Sequence, residues 1–436
     1  MESKLHLSIE ITHEQEGSYL TLPFEVPEGI ASIQLAYRYP RRLENVQSVP
    51  AGSFAARPKI NTIDLGLINP HGKQAGASGS DKSEFFISET YATPGYTPCP
   101  IVAGEWRILI GAYRIAPEGV TVEYEVTLTP KQNRWLRGDL HAHTLASDGV
   151  HTLEELALKA KRNGLDFVAV TDHNQFTPAE RMPAVEGVTM IPGVEWTHYL
   201  GHANFTGVDA PYDEVYATND PAKISSMFKS GRERGALITI NHPFDPNCSF
   251  GLDLKTLPFD CIEIWNGPMR ELNLRAVGFW QQMLCSGSKI PAVGGSDYHR
   301  DTPFIFLGGP TTCVYAGSSG KSDILSAIRA GHSYIVFAPN GPECEMKTGS
   351  AIMGDSITFN EESLLQFSVR GLETGDVVRV VTNTKSDVVF SAPVNGDVEL
   401  SYRMEAPGFA RVEVLRAFLP GVPTLPALIT NPIYFD

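Results

Sequence analysis

The chain has 436 residues, a length that is typical of two or three domains. Hydrophobic residues make up 42% and charged residues 19% of it, as in ordinary soluble globular proteins. The formal net charge of −15 repels phosphate backbones and anionic membrane surfaces, so the composition disfavours a nucleic-acid polymer or a membrane as the partner. An anionic small molecule stays open as a substrate, because bound metal ions override the global charge locally.

The six cysteines are scattered and include no Cys-x-x-Cys pair. Their spacing disfavours a zinc ribbon or a disulfide scaffold and is typical of a reducing compartment. The first residues, MESKLHLSIEITHE, carry acids where a signal peptide needs a long apolar run. No stretch reaches the apolar length of a membrane span, so we expect a cytoplasmic protein.

The two ends of the chain have the alternating pattern of half-buried strands. Segments such as TVEYEVTL, with Pro/Gly turns between them, predict an N-terminal β-sandwich-like domain over residues 1–130. The alternation returns in DVVRVVTN and VELSYRM, which predicts a C-terminal β-rich domain over residues 341–436.

Between them, residues 131–340 alternate strands and helices, the pattern of an α/β domain with a parallel sheet, open or closed into a barrel. In THTLEELALKAKRNG, a capping box of Thr152 and Glu155 begins a helix that Gly164 ends. A last helix is expected to begin from a Ser322 cap. Continuous apolar strands are predicted at LDFVAV, VTMIPGV, ALITI, CIEIW and IPAVG.

Residues with metal-binding side chains come directly after the predicted strands. The carboxyl ends of parallel strands share one face of a sheet or barrel, and barrel active sites lie there. Six of the twelve histidines follow this rule, if His202 turns inward, together with three carboxylates. The nine residues are His141, His143, Asp148, His173, Glu195, His202, His242, Asp297 and His299.

A histidine at one strand end is more often a hydrogen-bonded loop residue than a ligand, but the same placement recurs on successive strands. Nitrogen and carboxylate ligands without thiolates suit zinc, manganese or iron. Nine ligands exceed the roughly three protein ligands of one catalytic metal, so we expect two or three divalent ions. Glu195 can bridge two of them around a hydroxide, since coordination lowers the pKa of water from about 15.7 toward about 7.

The segment 135–340 resembles the polymerase and histidinol phosphatase (PHP) superfamily in the stretches GDLHAHTLASDG, VAVTDHN, IPGVEW, INHP and GGSDYH, in that order. The resemblance implies a distorted (β/α)7 barrel with a three-metal site at its carboxyl face. The β-rich flanks resemble the carbaryl-hydrolase-like subgroup of the superfamily.

The resemblance also implies three ligand sets, of which the first two share Glu195. They are His141, His143, Glu195 and Asp297 for the first ion; Glu195, His202 and His242 for the second; and Asp148, His173 and His299 for the third. His198 lies in the same loop as His202 and is a competitor for its position.

Three further residues complete the predicted catalytic set with Glu195. Arg270 and Arg300 follow strand ends and are candidates for clamping a phosphate, although a surface or ion-paired arginine is at least as common. Asp172 precedes His173 and is a candidate for orienting its imidazole or for a general acid, the first role being the commoner one.

The sequence therefore predicts a metal-dependent hydrolase. The leading hypothesis is a phosphoesterase that acts on an anionic small molecule through a metal-bridging hydroxide. One alternative is hydrolysis of a carbamate, ester or amide by the same metal site, and another is a non-catalytic, metal-stabilised binding scaffold. Exposed strand edges also leave a homo-oligomer open.

Overall fold

The chain forms two compact units, Met1–Gln132 and Asn133–Asp436. The computed structural model describes residues 2–42 and 60–436. Within these two ranges, no helix has both the length and the apolar character needed to cross a membrane. The three predicted domains, with boundaries near residues 130 and 340, stay a prediction.

The described part of the first unit is built of antiparallel strands. They are β1 (Ser3–Ile11), β2 (Ser18–Val26), β3 (Ile30–Arg38), β4 (Thr62–Ile68), β5 (Gln74–Ser78), β6 (Glu84–Ser88), β7 (Gly104–Arg114) and β8 (Val120–Pro130), with a 3-10 turn at His13–Gln15. Two four-stranded sheets result, with the orders β1-β8-β3-β6 and β2-β7-β4-β5. Alternate residues of both sheets, among them Ile33, Ile108 and Val126, form one hydrophobic core.

The second unit begins with alternating strands and helices. They are β9 (Arg134–Ala142), α1 (Leu153–Arg162), β10 (Phe167–Val170), a 3-10 turn (Ala179–Arg181), β11 (Thr189–Ile191), β12 (Gly193–His198), β13 (Gly201–Thr206), α2 (Pro221–Glu233), β14 (Leu237–Ile240), β15 (Cys261–Asn266), α3 (Glu271–Cys285), β16 (Ala292–Gly295), β17 (Thr311–Ala316), α4 (Lys321–Arg329) and β18 (Ser333–Val336).

Strands alone follow α4 and β18 in the rest of the unit. They are β19 (Glu343–Thr348), β20 (Ala351–Ile352), β21 (Ser356–Ile357), β22 (Leu364–Leu372), β23 (Val377–Thr382), β24 (Ser386–Ser391), β25 (Gly396–Arg403), β26 (Gly408–Arg416), β27 (Leu425–Thr430) and β28 (Ile433–Phe435). Several of them extend the sheet of β9, whose order is β11-β10-β9-β17-β18-β27-β26-β23-β24.

Of the two predicted helix caps, the one of α1 is confirmed and the one of α4 is wrong. The capping box of α1 is present, because Thr152 Oγ1 accepts the backbone N–H of Glu155 and the Glu155 carboxylate accepts that of Thr152. The predicted Ser322 cap is wrong: α4 begins at Lys321, and Gly320 is its N-cap residue.

The strand directions bring several carboxyl ends together. β9, β10 and β11 pair in parallel, as do β14, β15 and β16. Isolated parallel bridges join Ala142 to Tyr298 and His173 to Glu195. A uniformly parallel sheet is wrong, because β13 runs antiparallel to β12 and β14, and β17 runs antiparallel to β9. The mixed, strand-rich α/β class is confirmed, and the seven-stranded barrel stays a prediction.

A buried ion network attaches α3 to the strands that follow residue 340. Glu413 on β26 accepts hydrogen bonds from Arg379 (2.6 Å) and Arg411, and Arg411 also donates to Gln281 on α3 at 3.1 Å. Burial alone would raise the pKa of Glu413, but the guanidinium groups of Arg411 and Arg379 outweigh it and hold this pKa below its usual value.

We expect Glu413→Gln to lower the free energy of unfolding at pH 7 by about 3–5 kcal/mol, because two guanidinium groups lose their buried counter-charge. A carboxyl with a lowered folded-state pKa stabilises the fold above its unfolded pKa and loses this effect as the pH falls through the folded value. The difference between wild type and variant therefore shrinks below pH 4.5, the ordinary value for the group. Urea unfolding at pH 7 and at acidic pH measures both effects. The exposed Glu405→Gln is the control, and an equal loss at both pH values would contradict the assignment.

Candidate metal centre

All nine predicted metal ligands lie together in the second unit. His141 lies on β9, Glu195 on β12 and His202 on β13, while the others follow β9, β10, β14 and β16. Each has a ring nitrogen or carboxylate oxygen within 3.3 Å of another member of the set. His202, the one conditional member of the prediction, does turn inward.

The carboxylate of Glu195 lies at the centre of the cluster and is fully buried. Asn241 donates a hydrogen bond from Nδ2 to Glu195 Oε1 at 2.8 Å. Imidazole rings provide the remaining contacts. With the distance from a ring nitrogen to a Glu195 oxygen, they are His141 (3.2 Å), His143 (3.6 Å), His173 (2.9 Å), His202 (3.2 Å) and His242 (3.3 Å).

Asp297 contributes a second carboxylate, which faces the same Nε2 atoms of His141 and His143 as Glu195 does. Its Oδ1 lies 3.1 Å from His143 Nε2 and 3.5 Å from His141 Nε2. Asp297 and His242 have positive φ angles, 53° and 23°, which non-glycine residues rarely adopt. Local backbone strain of this kind clusters at functional sites, where the surrounding structure holds it in place.

A more exposed group of ligands lies around Asp148, whose side chain is 57% exposed. Its Oδ1 is 3.1 Å from His299 Nε2, 3.7 Å from His173 Nε2 and 3.9 Å from His143 Nδ1. Asp148, His173 and His299 are the three residues predicted for the third ion. The structure brings them together, and His143 lies in the same group.

The hydrogen bonds of the rings determine which nitrogen is left for a cation. His141 Nδ1 faces Glu263 Oε1 at 3.0 Å, and His299 Nδ1 faces the carbonyl oxygen of Asp297 at 2.9 Å. A ring that donates through Nδ1 keeps its lone pair on Nε2. In both histidines Nε2 is the nitrogen that faces the carboxylates of the cluster.

Two buried atoms at the centre, His141 Nε2 and Glu195 Oε2, have no hydrogen bond of good geometry. Leaving a buried polar atom unpaired costs about 1–3 kcal/mol, and a divalent cation between an imidazole nitrogen and a carboxylate oxygen would satisfy both atoms. His141, His143 and Glu195 also have ligand atoms within 4.8 Å of one another. The residues present therefore fit zinc, manganese or iron.

Residues 139–228, which include six of the nine residues of this cluster, match the PHP domain family. The chain contains a PHP domain. An uncharacterized protein of Methanocaldococcus jannaschii is 26% identical over 151 residues, which are 31% of this chain and 85% of that protein. The carbaryl-hydrolase-like subgroup stays a prediction.

Solved structures with partial similarity include two described as metal-dependent phosphoesterases. A two-domain protein of Bacteroides vulgatus that contains a predicted PHP-like metal-dependent phosphoesterase is 16% identical, covering 67% of this chain and 95% of its own, with a TM-score of 0.40. A candidate metal-dependent phosphoesterase of Bifidobacterium adolescentis is also 16% identical, covering 43% of this chain and 95% of its own, with a TM-score of 0.31.

The electrostatics of the PHP domain cluster require positive charge. Burial by itself lowers the pKa of His141, but the carboxylates of Asp297, Glu195 and Glu263 outweigh it and raise this pKa well above its usual value. Burial likewise opposes ionisation of Glu195, yet the surrounding histidines hold its pKa well below the usual range. The carboxylates thus stay ionised and attract positive charge, which protonated imidazoles, or a divalent cation together with coordination, would supply.

Within residues 60–436, the side chains of both predicted catalytic arginines and of Asp172 form no hydrogen bond or salt bridge with the nine candidate ligands. Asp172 is buried and accepts hydrogen bonds from Thr144 (2.7 Å) and Ser147 (2.8 Å), so it orients the loop after β9 rather than the His173 ring. Arg270 and Arg300 are exposed, and no hydrogen bond or salt bridge within residues 60–436 involves their guanidinium groups. Their roles in catalysis stay predictions.

His198 does not compete with His202 for the ligand position. Its Nε2 contacts the carbonyl oxygen of Thr218 at 2.9 Å, its Nδ1 accepts the backbone N–H of Leu200 at 3.1 Å, and its ring stacks on Trp196. Both nitrogens are therefore occupied by contacts outside the cluster.

Sequence reasoning missed Glu263, which supports two ligands at once. Its Oε1 faces His141 Nδ1, and its Oε2 accepts hydrogen bonds from the backbone of His242 (2.9 Å) and from Asn266 (3.1 Å). A Cβ at Gly295 would lie 2.5 Å from the Cβ of His141 and 2.9 Å from Glu263 Oε1, so the close approach needs glycine there. An acid inside the apolar strand CIEIW was the signal that could have indicated this role.

We expect Glu263→Gln to weaken metal binding about 10–100-fold, the usual effect of losing a group that orients a metal-binding histidine. A glutamine has one acceptor oxygen. It can therefore accept a hydrogen bond from His141, or hydrogen bonds from His242 and Asn266, but not all three. Metal content after dialysis against graded chelator concentrations measures the change.

The exposed Glu271→Gln on α3 is the matched control for this substitution and keeps the wild-type metal content. Unchanged metal retention in Glu263→Gln, with the fold intact by circular dichroism, would show that Glu263 does not orient the ligands.

Proposed function

We propose that this protein is a metal-dependent hydrolase whose PHP domain cleaves a phosphoester of an anionic small molecule. The observation that carries the proposal is the buried Glu195 carboxylate, contacted by five imidazole rings at the strand ends. A buried ionised carboxylate is costly unless it is paired with cations or binds a metal ion.

Two or three divalent ions, zinc, manganese or iron, suit the donor set. The ligand sets we propose are His141, His143, Glu195 and Asp297; Glu195, His202 and His242; and Asp148, His173 and His299. Glu195 contributes to the first two through a carboxylate whose two oxygens face different rings. When bound, such ions polarise a phosphoryl or carbonyl oxygen and make water more acidic.

The protein itself supplies orientation around these ions. Glu263 fixes the His141 ring, and Asn241 fixes the Glu195 carboxylate, so neither group has to reorganise during a reaction. The exposed Asp148 and the partly exposed His299 give the cluster a side open to solvent, through which a substrate can reach it.

The two exposed arginines favour a phosphoester over a carbonyl substrate. Arg270 precedes α3 and Arg300 directly follows His299, so both lie near strand ends that carry the cluster. A guanidinium binds a phosphate through two parallel hydrogen bonds. The chain has a net charge of −15, so two guanidinium groups near the cluster would provide a local positive potential that favours an anionic substrate.

Turnover by the metal-reconstituted full chain on a chromogenic phosphomonoester, phosphodiester, carboxylic ester and carbamate tests the proposal. We expect phosphoester hydrolysis that Glu195→Gln reduces more than about 100-fold, beyond the usual effect of losing an outer-sphere partner. We also expect Arg270→Ala and Arg300→Ala to raise KM for phosphoesters. The exposed Glu186→Gln serves as the control and keeps the wild-type rate.

Each other outcome contradicts part of the proposal. Hydrolysis limited to the ester or carbamate would assign the centre to carbonyl chemistry. Equal turnover in wild type and Glu195→Gln would place the reaction elsewhere. Full metal occupancy with no turnover on any of the four substrates would favour a metal-stabilised binding scaffold.

A further inference from the structure

A thiol lies beside two of the proposed ligands and was not expected from the sequence. Cys248, in the loop after β14, is half-buried, and its Sγ lies 3.5 Å from His242 Nδ1. His202, His242 and Cys248 form a group whose ligand atoms lie within 4.8 Å of one another, and Glu195 is not part of that group.

Each of the two histidines has one nitrogen directed at Glu195. His202 Nδ1 lies 3.2 Å and His242 Nε2 lies 3.3 Å from Glu195 Oε1. A metal-binding histidine typically donates its other N–H to a carboxylate. If both rings donate to Glu195, the lone pair of His242 is on Nδ1, the nitrogen that faces Cys248.

The distance between sulfur and nitrogen suits a shared ion. In a tetrahedral site with Zn–S of about 2.3 Å and Zn–N of about 2.0–2.1 Å, the two donor atoms are roughly 3.5 Å apart. Cys248 Sγ and His242 Nδ1 have that separation.

The Cys248 loop is held firmly against the strand that carries His202. The backbone N–H of Gly251 donates to the carbonyl oxygen of Leu200 at 2.8 Å, and that of Cys248 donates to Asp245 at 3.2 Å. A Cβ at Gly201 would lie 2.5 Å from the ring of Phe250, so the loop packs directly on the start of β13.

The other five cysteines have different surroundings. Cys261, Cys313 and Cys344 are buried in hydrophobic cores, Cys99 is half-buried in the first unit, and Cys285 is exposed on α3. In the described ranges, Cys248 alone among the six forms a hydrogen bond with a histidine.

We propose that Cys248, His242 and His202 form a sulfur-containing metal position on the outer side of the Glu195 cluster, with Glu195 as the hydrogen-bond acceptor that orients both rings. The inference rests on the metal centre of the proposed function and replaces its second ligand set. Binding converts the thiol to a metal-bound thiolate and releases its proton to solvent. Because thiolates favour softer ions, the position selects zinc or iron over manganese.

Cobalt(II) titration of the chelator-treated full chain tests this position without any substrate. We expect a near-ultraviolet sulfur-to-cobalt charge-transfer band that saturates with one thiolate per chain, is absent in Cys248→Ser and is unchanged in the matched control Cys285→Ser. We also expect zinc affinity to fall at least about tenfold in Cys248→Ser, the lower end for loss of a metal-supporting group, with manganese affinity nearly unchanged.

Two results would overturn the proposal: cobalt bound in full without the band, or a band that persists in Cys248→Ser. Absence of any cobalt binding would overturn both this position and the proposed metal centre. If the band appears but no substrate is hydrolysed, the proposed function is contradicted and the Cys248 position stands. If the protein is active but shows no band, the Cys248 position is contradicted and the proposed function stands.

Discussion

The buried carboxylate of Glu195 is the group on which the rest of the site depends. An ionised carboxylate in a low-dielectric interior costs on the order of tens of kcal/mol unless it is paired, hydrogen-bonded or bound to a metal. Within the described residues no lysine or arginine forms a salt bridge with Glu195, and its contacts come from histidines and Asn241. Imidazoles compensate such a charge as protonated cations or as ligands of a shared metal ion, and only the second arrangement uses their lone pairs.

The surrounding fold holds this arrangement through buried acids one layer further out. Asp139 accepts hydrogen bonds from the backbone of His141 (3.1 Å), Ser296 (2.9 Å) and Gly308 (2.8 Å), which attaches β9 to the chain after β16. Burial raises the pKa of Asp139 to about 6 despite these donors. Glu263 connects the His141 ring with the backbone of His242 in the same way. The hydrogen bonds of these two acids position the candidate ligands independently of any bound ion.

Much of the site was predictable because strand direction restricts where polar side chains can go. Apolar runs such as LDFVAV predict buried strands, and parallel neighbours place the residues after them at one edge. That rule was sufficient to select the nine candidate ligands that the structure brings together. The capping box of α1 was equally predictable, because Thr152 and Glu155 are only three residues apart and depend on no distant contact.

What could not be predicted depends on tertiary contacts. The direction of β13 follows from its hairpin with β12, which the apolar pattern does not encode. The positions of Glu263 and Cys248 depend on side chains more than a hundred residues away or on the packing of a loop on a strand. Asp172 follows its strand as expected, yet its carboxylate bonds to Thr144 and Ser147. Position along the chain therefore selected the candidate ligands but not the groups that orient them.

The central claim is that Glu195 and the surrounding histidines bind divalent metal ions. A crystal of the full chain grown with zinc or manganese, with anomalous data collected on each side of the absorption edge of that metal, tests it most directly. We expect anomalous peaks at bonding distance from His141 Nε2 and a Glu195 oxygen, and their loss in Glu195→Gln. A wild-type map with no peak near Glu195 at saturating metal would contradict the account, because the buried carboxylate would then be compensated by protonated histidines alone.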